Sequence, residues 1–123
     1  MGRILLVAAA ALLFVTAIIH GCGQPMVDQW LEGLSHQQKL AICLVWVTDS
    51  LAWAVVAILW ALAAWRPTAG HLTTGAIAAA IPALTGAAIV AIDPAFFGGW
   101  LLMISVALAA VGLAIASRRP SNA

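Results

Sequence analysis

Five residues of this chain could do chemistry together, although they lie in or beside segments of membrane-helix character. The stretch VWVTDSLAW places Asp49 between Trp46 and Trp53. His20 closes the first apolar segment, and Asp93 follows the third. A carboxylate beside indole faces can hold a lipophilic cation through charge and cation–π attraction. We therefore take these five residues as the candidate ligand-binding site.

The depth of these residues in a bilayer decides what their burial costs. A charge at the bilayer centre costs about 2.5–3.5 kcal/mol on insertion scales. Counting about 20 residues outward from Trp65 places the outer boundary near Val45, so Asp49 lies in the outer leaflet. The same count puts His20 just inside this boundary and Asp93 at it. The polar residues that could join this outward-opening site are Thr48, Ser50 and Gln24.

A purely structural interpretation of the same residues stays open. Trp46, Trp53 and Trp60 share one helix face, so they could pack against other helices or lipid. Asp49 could then simply pair with His20 or with a hydroxyl group. The histidines and cysteines match no strong metal-ligand spacing, so we predict neither a metal nor another cofactor.

The composition indicates a bilayer as the solvent. Of the 123 residues, 65% are hydrophobic and 7% are charged, and the mean hydropathy is +1.11. Soluble domains carry about 25% charged residues. A net charge of +1 without any basic run gives no sign of nucleic-acid binding. We find no catalytic triad, P-loop or dinucleotide fingerprint, so an enzyme is not expected; lipid chemistry through His20 and Asp49 is the weakest alternative.

Four apolar segments define the predicted fold, and the bilayer itself is the first predicted partner. Each approaches or exceeds the roughly 20 residues that cross a membrane as a helix. The sequence predicts an all-α, polytopic membrane protein: a single four-transmembrane-helix bundle over 1–123. The predicted helices span roughly residues 4–20, 40–65, 72–92 and 97–117.

Basic residues predict the orientation of this bundle. Arg3, Arg66, Arg118 and Arg119 fall on one side of a four-helix chain, and Lys39 falls on the other. The excess of positive charge marks the cytoplasmic side. We therefore expect a multi-pass protein of the cell inner membrane with both termini cytoplasmic.

The first outer loop has its own apolar pattern. Near-helical spacing relates Met26, Val27, Trp30, Leu31 and Leu34. This spacing predicts a short amphipathic interfacial helix that ends near Gly33. Ser35 and Gln38 then resemble a capping box that opens the second spanning helix. Pro82 is expected to kink the third spanning helix or loosen one turn of it.

Small residues recur on the third and fourth spanning helices. Such faces allow close helix approach, either inside one chain or in a homodimer or a complex with a membrane partner. The residues concerned are Gly75, Ala79, Ala83, Ala87, Ala109 and Gly112. Residues 1–22 also resemble a signal peptide or lipoprotein leader, but we favour a retained helix.

In size and helix number the chain resembles the small multidrug resistance transporters, but its first helix lacks their membrane-embedded glutamate. A histidine closing the first helix, a GQP turn and a Trp-bearing second helix resemble small uncharacterised bacterial four-helix integral membrane proteins. That resemblance covers residues 12–65 and implies no activity. We expect a non-enzymatic accessory or interaction subunit; the alternative is a small transporter or binding protein for a lipophilic or cationic solute, using Asp49 and its flanking tryptophans.

Overall fold

The structure, a computed structural model, describes residues 1–118, and for residues 24, 25 and 28 it describes the backbone alone. Arg119 of the topology prediction lies outside the described residues, as do the side chains of Gln24 and Asp28. The helices are α1 (Gly2–Cys22), α2 (Gln24–Trp30), α3 (His36–Trp65), α4 (Ala69–Ala78), α5 (Ala80–Ile92) and α6 (Phe97–Ser117). The predicted all-α class is confirmed, since residues 1–118 contain no strand.

Within residues 1–118, four helical units are long and apolar enough to cross a membrane, judged by length and composition. They are α1, α3, α4 together with α5, and α6, with lengths of 21, 30, 24 and 21 residues. Along the chain each unit packs against the next, and α6 closes the ring by packing against α1. The largest fully buried side chains of this core include Trp53, Trp60, Leu6, Leu13 and Leu102.

The start of α3 follows from a local hydrogen-bond pattern. The Gln38 amide donates to Ser35 Oγ over 3.3 Å, and the Ser35 amide donates to Gln38 Oε1 over 3.0 Å. This reciprocal arrangement is the predicted capping box, and it starts α3 at His36, four residues before the predicted position. Between α2 and α3 the chain turns at Gly33, whose φ of +90° favours a residue without a Cβ.

The third spanning unit is interrupted, as Pro82 led us to expect. Proline has no amide hydrogen to donate to the carbonyl of Ala78, and its ring crowds that carbonyl. The α4 helix accordingly ends at Ala78, and α5 begins at Ala80. Beyond this break the chain changes neighbours: α4 packs mainly against α3, whereas α5 packs mainly against α6. The α5 half of this unit is therefore less closely packed against α3 than the α4 half.

Several of the predicted small residues are used for packing inside the chain. Gly75, Ala109 and Gly112 are buried, Ala79 and Ala83 are half-buried, and Ala87 is exposed. A Cβ on Gly112 would lie 2.9 Å from Leu6 Cγ, so α6 and α1 need a glycine at their crossing. A Cβ on Gly75 would meet Trp60 at 3.5 Å, which is ordinary contact.

Candidate functional site

The centre of the candidate site is the imidazole of His20, in the last turn of α1. Its Nδ1 atom lies 2.8 Å from Ser50 Oγ on α3. The ring stacks on the Trp46 indole, with centroids 3.8 Å apart and planes inclined by 14°. On another side it meets the Trp53 indole at 4.6 Å and 57°. The imidazole is thus held by one hydrogen bond and two aromatic contacts.

One face of α3 supplies all three partners of this imidazole. Trp46, Ser50 and Trp53 are spaced by four and three residues, so their side chains lie on one side of the helix. The small Ser50 side chain leaves room for the imidazole between the two larger indoles. Trp46 Nε1 also donates to the His20 carbonyl over 2.6 Å. That carbonyl lies in the last turn of α1, where it also accepts a hydrogen bond from the Gly23 amide over 3.0 Å.

A cavity of about 460 Å³ lies beside this cluster, at the end of the bundle that carries α2. Cavities of about 300–1,000 Å³ are typical of small-molecule sites. Five helices contribute to the wall. Its members are Thr16, Ile19, His20, Gly23, Met26, Val27, Trp30, Trp46, Trp53, Ile89, Ile92, Asp93, Phe96, Phe97, Gly98 and Leu101. The wall is therefore largely apolar and rich in aromatic rings.

Few polar side chains face this cavity, and most of them already have partners. Thr16 Oγ1 donates to the Leu12 carbonyl over 2.8 Å. The Asp93 carboxylate is exposed at the end of α5, where it accepts a hydrogen bond from the Ala95 amide over 3.0 Å. Of the two ionisable residues of the wall, His20 is half-buried between the helices and Asp93 is exposed.

Asp49 takes a different place from the other four candidate residues. It is half-buried on α3 and does not belong to the cavity wall, whereas His20, Trp46, Trp53 and Asp93 do. Its carboxylate interacts electrostatically with His20. Within the described part of the chain, however, it forms no ion pair within 4.0 Å and no hydrogen bond.

Ser50, predicted as a possible member of the site, is the direct hydrogen-bonding partner of His20. The residues that sequence reasoning missed are the apolar ones of the wall. Leu101, Ile89 and Phe97 carry no signal in a chain where apolar residues dominate. Thr48, the other hydroxyl residue considered, is exposed.

The Trp53 indole has a further property, because its Nε1–H group is sealed from solvent and has no hydrogen-bond partner among residues 1–118. Trp60, seven residues further along α3 on the same face, donates instead to the Gly75 carbonyl over 3.0 Å. No group of three or more His, Cys, Asp or Glu residues in the described chain could hold a metal ion.

Together, the fold and the site define a class: an all-helical bundle with four units of membrane-spanning length and an apolar cavity at one end. No protein-family model, curated protein or solved structure matches this chain.

Proposed function

We propose that this chain is a non-enzymatic, multi-pass membrane protein that binds a lipophilic molecule in the cavity beside His20. The observation that carries this proposal is the wall of the 460 Å³ cavity, where His20 and Asp93 are the ionisable residues and most others are apolar or aromatic. Sites of this kind, with an apolar wall and a few polar groups, hold and orient small molecules.

The same proposal places the chain in the cell inner membrane with both termini cytoplasmic. Arg3 and Arg66 lie at the end of the bundle away from the cavity, and Arg3 Cζ lies 5.5 Å from the Trp65 ring centroid. A cation on an indole is suited to an interface between water and lipid. The cavity then opens in the outer half of the bilayer, with α2 as a short interfacial helix beside it.

A lipophilic ligand fits this wall better than a cationic one. Asp49, the carboxylate proposed to hold a cation, lies outside the wall. One face of the Trp46 indole is covered by the His20 ring at 3.8 Å, so that face is not free for a ligand cation. We therefore propose a binding protein for a lipophilic solute rather than for a cationic one.

That the chain serves as an accessory or interaction subunit stays a prediction. Of the small residues suggested for its interface, Gly75, Ala109 and Gly112 are buried within the chain. A partner would have to use the exposed apolar surface, which a bilayer would also cover.

The proposal is tested by photolabelling the protein in nanodiscs with a diazirine-bearing acyl chain. We expect saturable labelling of residues in α2, α5 and α6 that line the cavity, and loss of label when unlabelled lipid competes. Ile89→Trp should abolish the saturable component, because Ile89 forms part of the wall and an indole would fill the space.

The matched control is Ile77→Trp on α4. Ile77 is 71% exposed and lies outside the wall, so the same substitution should leave the saturable labelling intact. Uniform, non-saturable labelling of exposed residues, unchanged by Ile89→Trp, would overturn the proposal.

A further inference from the structure

The protonation of the His20 imidazole follows from the hydrogen bonds of Ser50. Ser50 Oγ donates to the Trp46 carbonyl over 3.1 Å. A serine hydroxyl has a single proton to donate. When that proton is directed at the carbonyl, Ser50 Oγ accepts in its 2.8 Å contact with His20 Nδ1. Both contacts are satisfied together when Nδ1 of a neutral imidazole carries the proton.

The other ring nitrogen, Nε2, is then a hydrogen-bond acceptor with an available lone pair. No hydrogen bond to Nε2 and no ion pair within 4.0 Å of it is present in residues 1–118. Among residues 1–118, the side-chain nitrogen that is both sealed by protein and without a hydrogen bond is Trp53 Nε1. His20 Nε2 also has no hydrogen bond within these residues, so it is not sealed and remains accessible. With Nδ1 committed to α3 and His20 forming part of the wall, Nε2 is the ring nitrogen left for a ligand.

An acceptor in an apolar cavity favours a ligand that brings a donor, because an unmade hydrogen bond in such surroundings is costly. A quinone or an ester offers further acceptors and no donor. An ionised fatty acid would bring a second carboxylate to the cavity that Asp93 already lines. A neutral hydroxyl group brings a hydrogen-bond donor and adds no negative charge.

We propose that the ligand is a lipid alcohol, whose hydroxyl donates to His20 Nε2 and whose hydrocarbon lies against Ile89, Phe97 and Leu101. This inference rests on the proposed function, and it names the class of lipophile that the cavity selects. Ser50 acts as the positioning residue that sets the tautomer, and His20 contacts the ligand.

Two probes of equal hydrocarbon length test this selection: hexadecanol, which donates a hydrogen bond, and hexadecyl methyl ether, which does not. Binding to the full chain in nanodiscs is measured by displacement of the photolabel. We expect hexadecanol to bind about tenfold more tightly than the ether, equivalent to about 1.4 kcal/mol. His20→Phe should lower the hexadecanol affinity to that of the ether and leave the ether affinity unchanged.

A second measurement reads the tautomer directly and begins with the unsubstituted protein. Nitrogen NMR chemical shifts of labelled His20 should show a protonated Nδ1 and an unprotonated Nε2, and Ser50→Ala should mix the two tautomers. Equal binding of the two probes, tighter binding of hexadecanoic acid, or a protonated Nε2 would each overturn the inference. If acyl labelling is saturable while the probes bind equally, the inference alone fails; if nothing labels the cavity, the proposed function fails first.

Discussion

Two buried indole groups, those of Trp53 and Trp60, differ in their hydrogen bonding although both are sealed inside the bundle. Trp60 Nε1 donates to the Gly75 carbonyl over 3.0 Å, while Trp53 Nε1 has no partner among residues 1–118. Trp60→Phe should therefore destabilise the protein more than Trp53→Phe, by about 1 kcal/mol, the usual scale of a hydrogen bond between membrane helices. The measurement is unfolding of both variants in the same detergent.

The pair is its own control, because each variant makes the same Trp→Phe change at a site that is at most 2% exposed. The lost volume is then similar, and the difference reports the hydrogen bond. Equal destabilisation, or a larger loss for Trp53→Phe, would contradict the assignment of Trp53 as the unpartnered donor.

At this scale, residue type and spacing predicted part of the site. A helix turns by about 100° per residue, so the residues at 46, 50 and 53 were bound to share a face. The same geometry places Asp49 and Ser50 on either side of the line through Trp46 and Trp53. Which of the two meets His20 depends on how α1 crosses α3, and no spacing within one helix determines that crossing.

Close contact between α1 and α6 depends on glycines where the two helices cross. A Cβ on Gly112 would lie 2.9 Å from Leu6 Cγ and 3.1 Å from the Gly2 carbonyl oxygen. Backbone atoms cannot rotate away, so Gly112→Ala should push the helices apart and cost about 1–3 kcal/mol. The expected result is a lower unfolding temperature in detergent.

Gly70→Ala is the matched control for this substitution. Gly70 lies in the first turn of α4, and a Cβ there would have its nearest neighbour, Thr68 Oγ1, at 4.0 Å. Alanine favours a helix over glycine by about 0.5–1 kcal/mol, so this variant should be as stable as the parent or more so. A Gly112→Ala protein as stable as Gly70→Ala would show that the crossing tolerates a methyl group.

The break between α4 and α5 shows what a sequence can locate within an element. Pro82 predicts an interruption near Ala78, since the missing amide belongs to that carbonyl. The direction in which α5 departs was not predictable, because it is set by its packing against α6, where Gly99 allows close approach to Ile89. That departure contributes to the space between α3 and α5 in which the cavity lies.

For the whole molecule, four helices of spanning length followed from hydropathy, but the cavity did not. A void between helices is a property of packing, and its wall consists mainly of the residue types found everywhere in this chain. His20 and Asp93, which lie at the polar edge of the cavity, were predicted from the sequence as site residues. Leu101 and Ile89 were not predicted, because their residue types are the same on a cavity wall and on a lipid-facing surface.

The orientation of the molecule gives the last prediction. Gly33 and Pro67 lie beyond opposite ends of α3, so one of them faces the cytoplasm if α3 spans the bilayer. Because Arg3, Arg66 and Arg118 lie at the Pro67 end, that end should be cytoplasmic. Alkaline phosphatase fused after Gly33 should be active, whereas the same fusion after Pro67 should be inactive. A green fluorescent protein fused after Pro67 should fluoresce, which verifies that the inactive fusion is expressed. The reverse pattern would place the cavity in the inner half of the bilayer, and activity of both fusions would contradict a spanning α3.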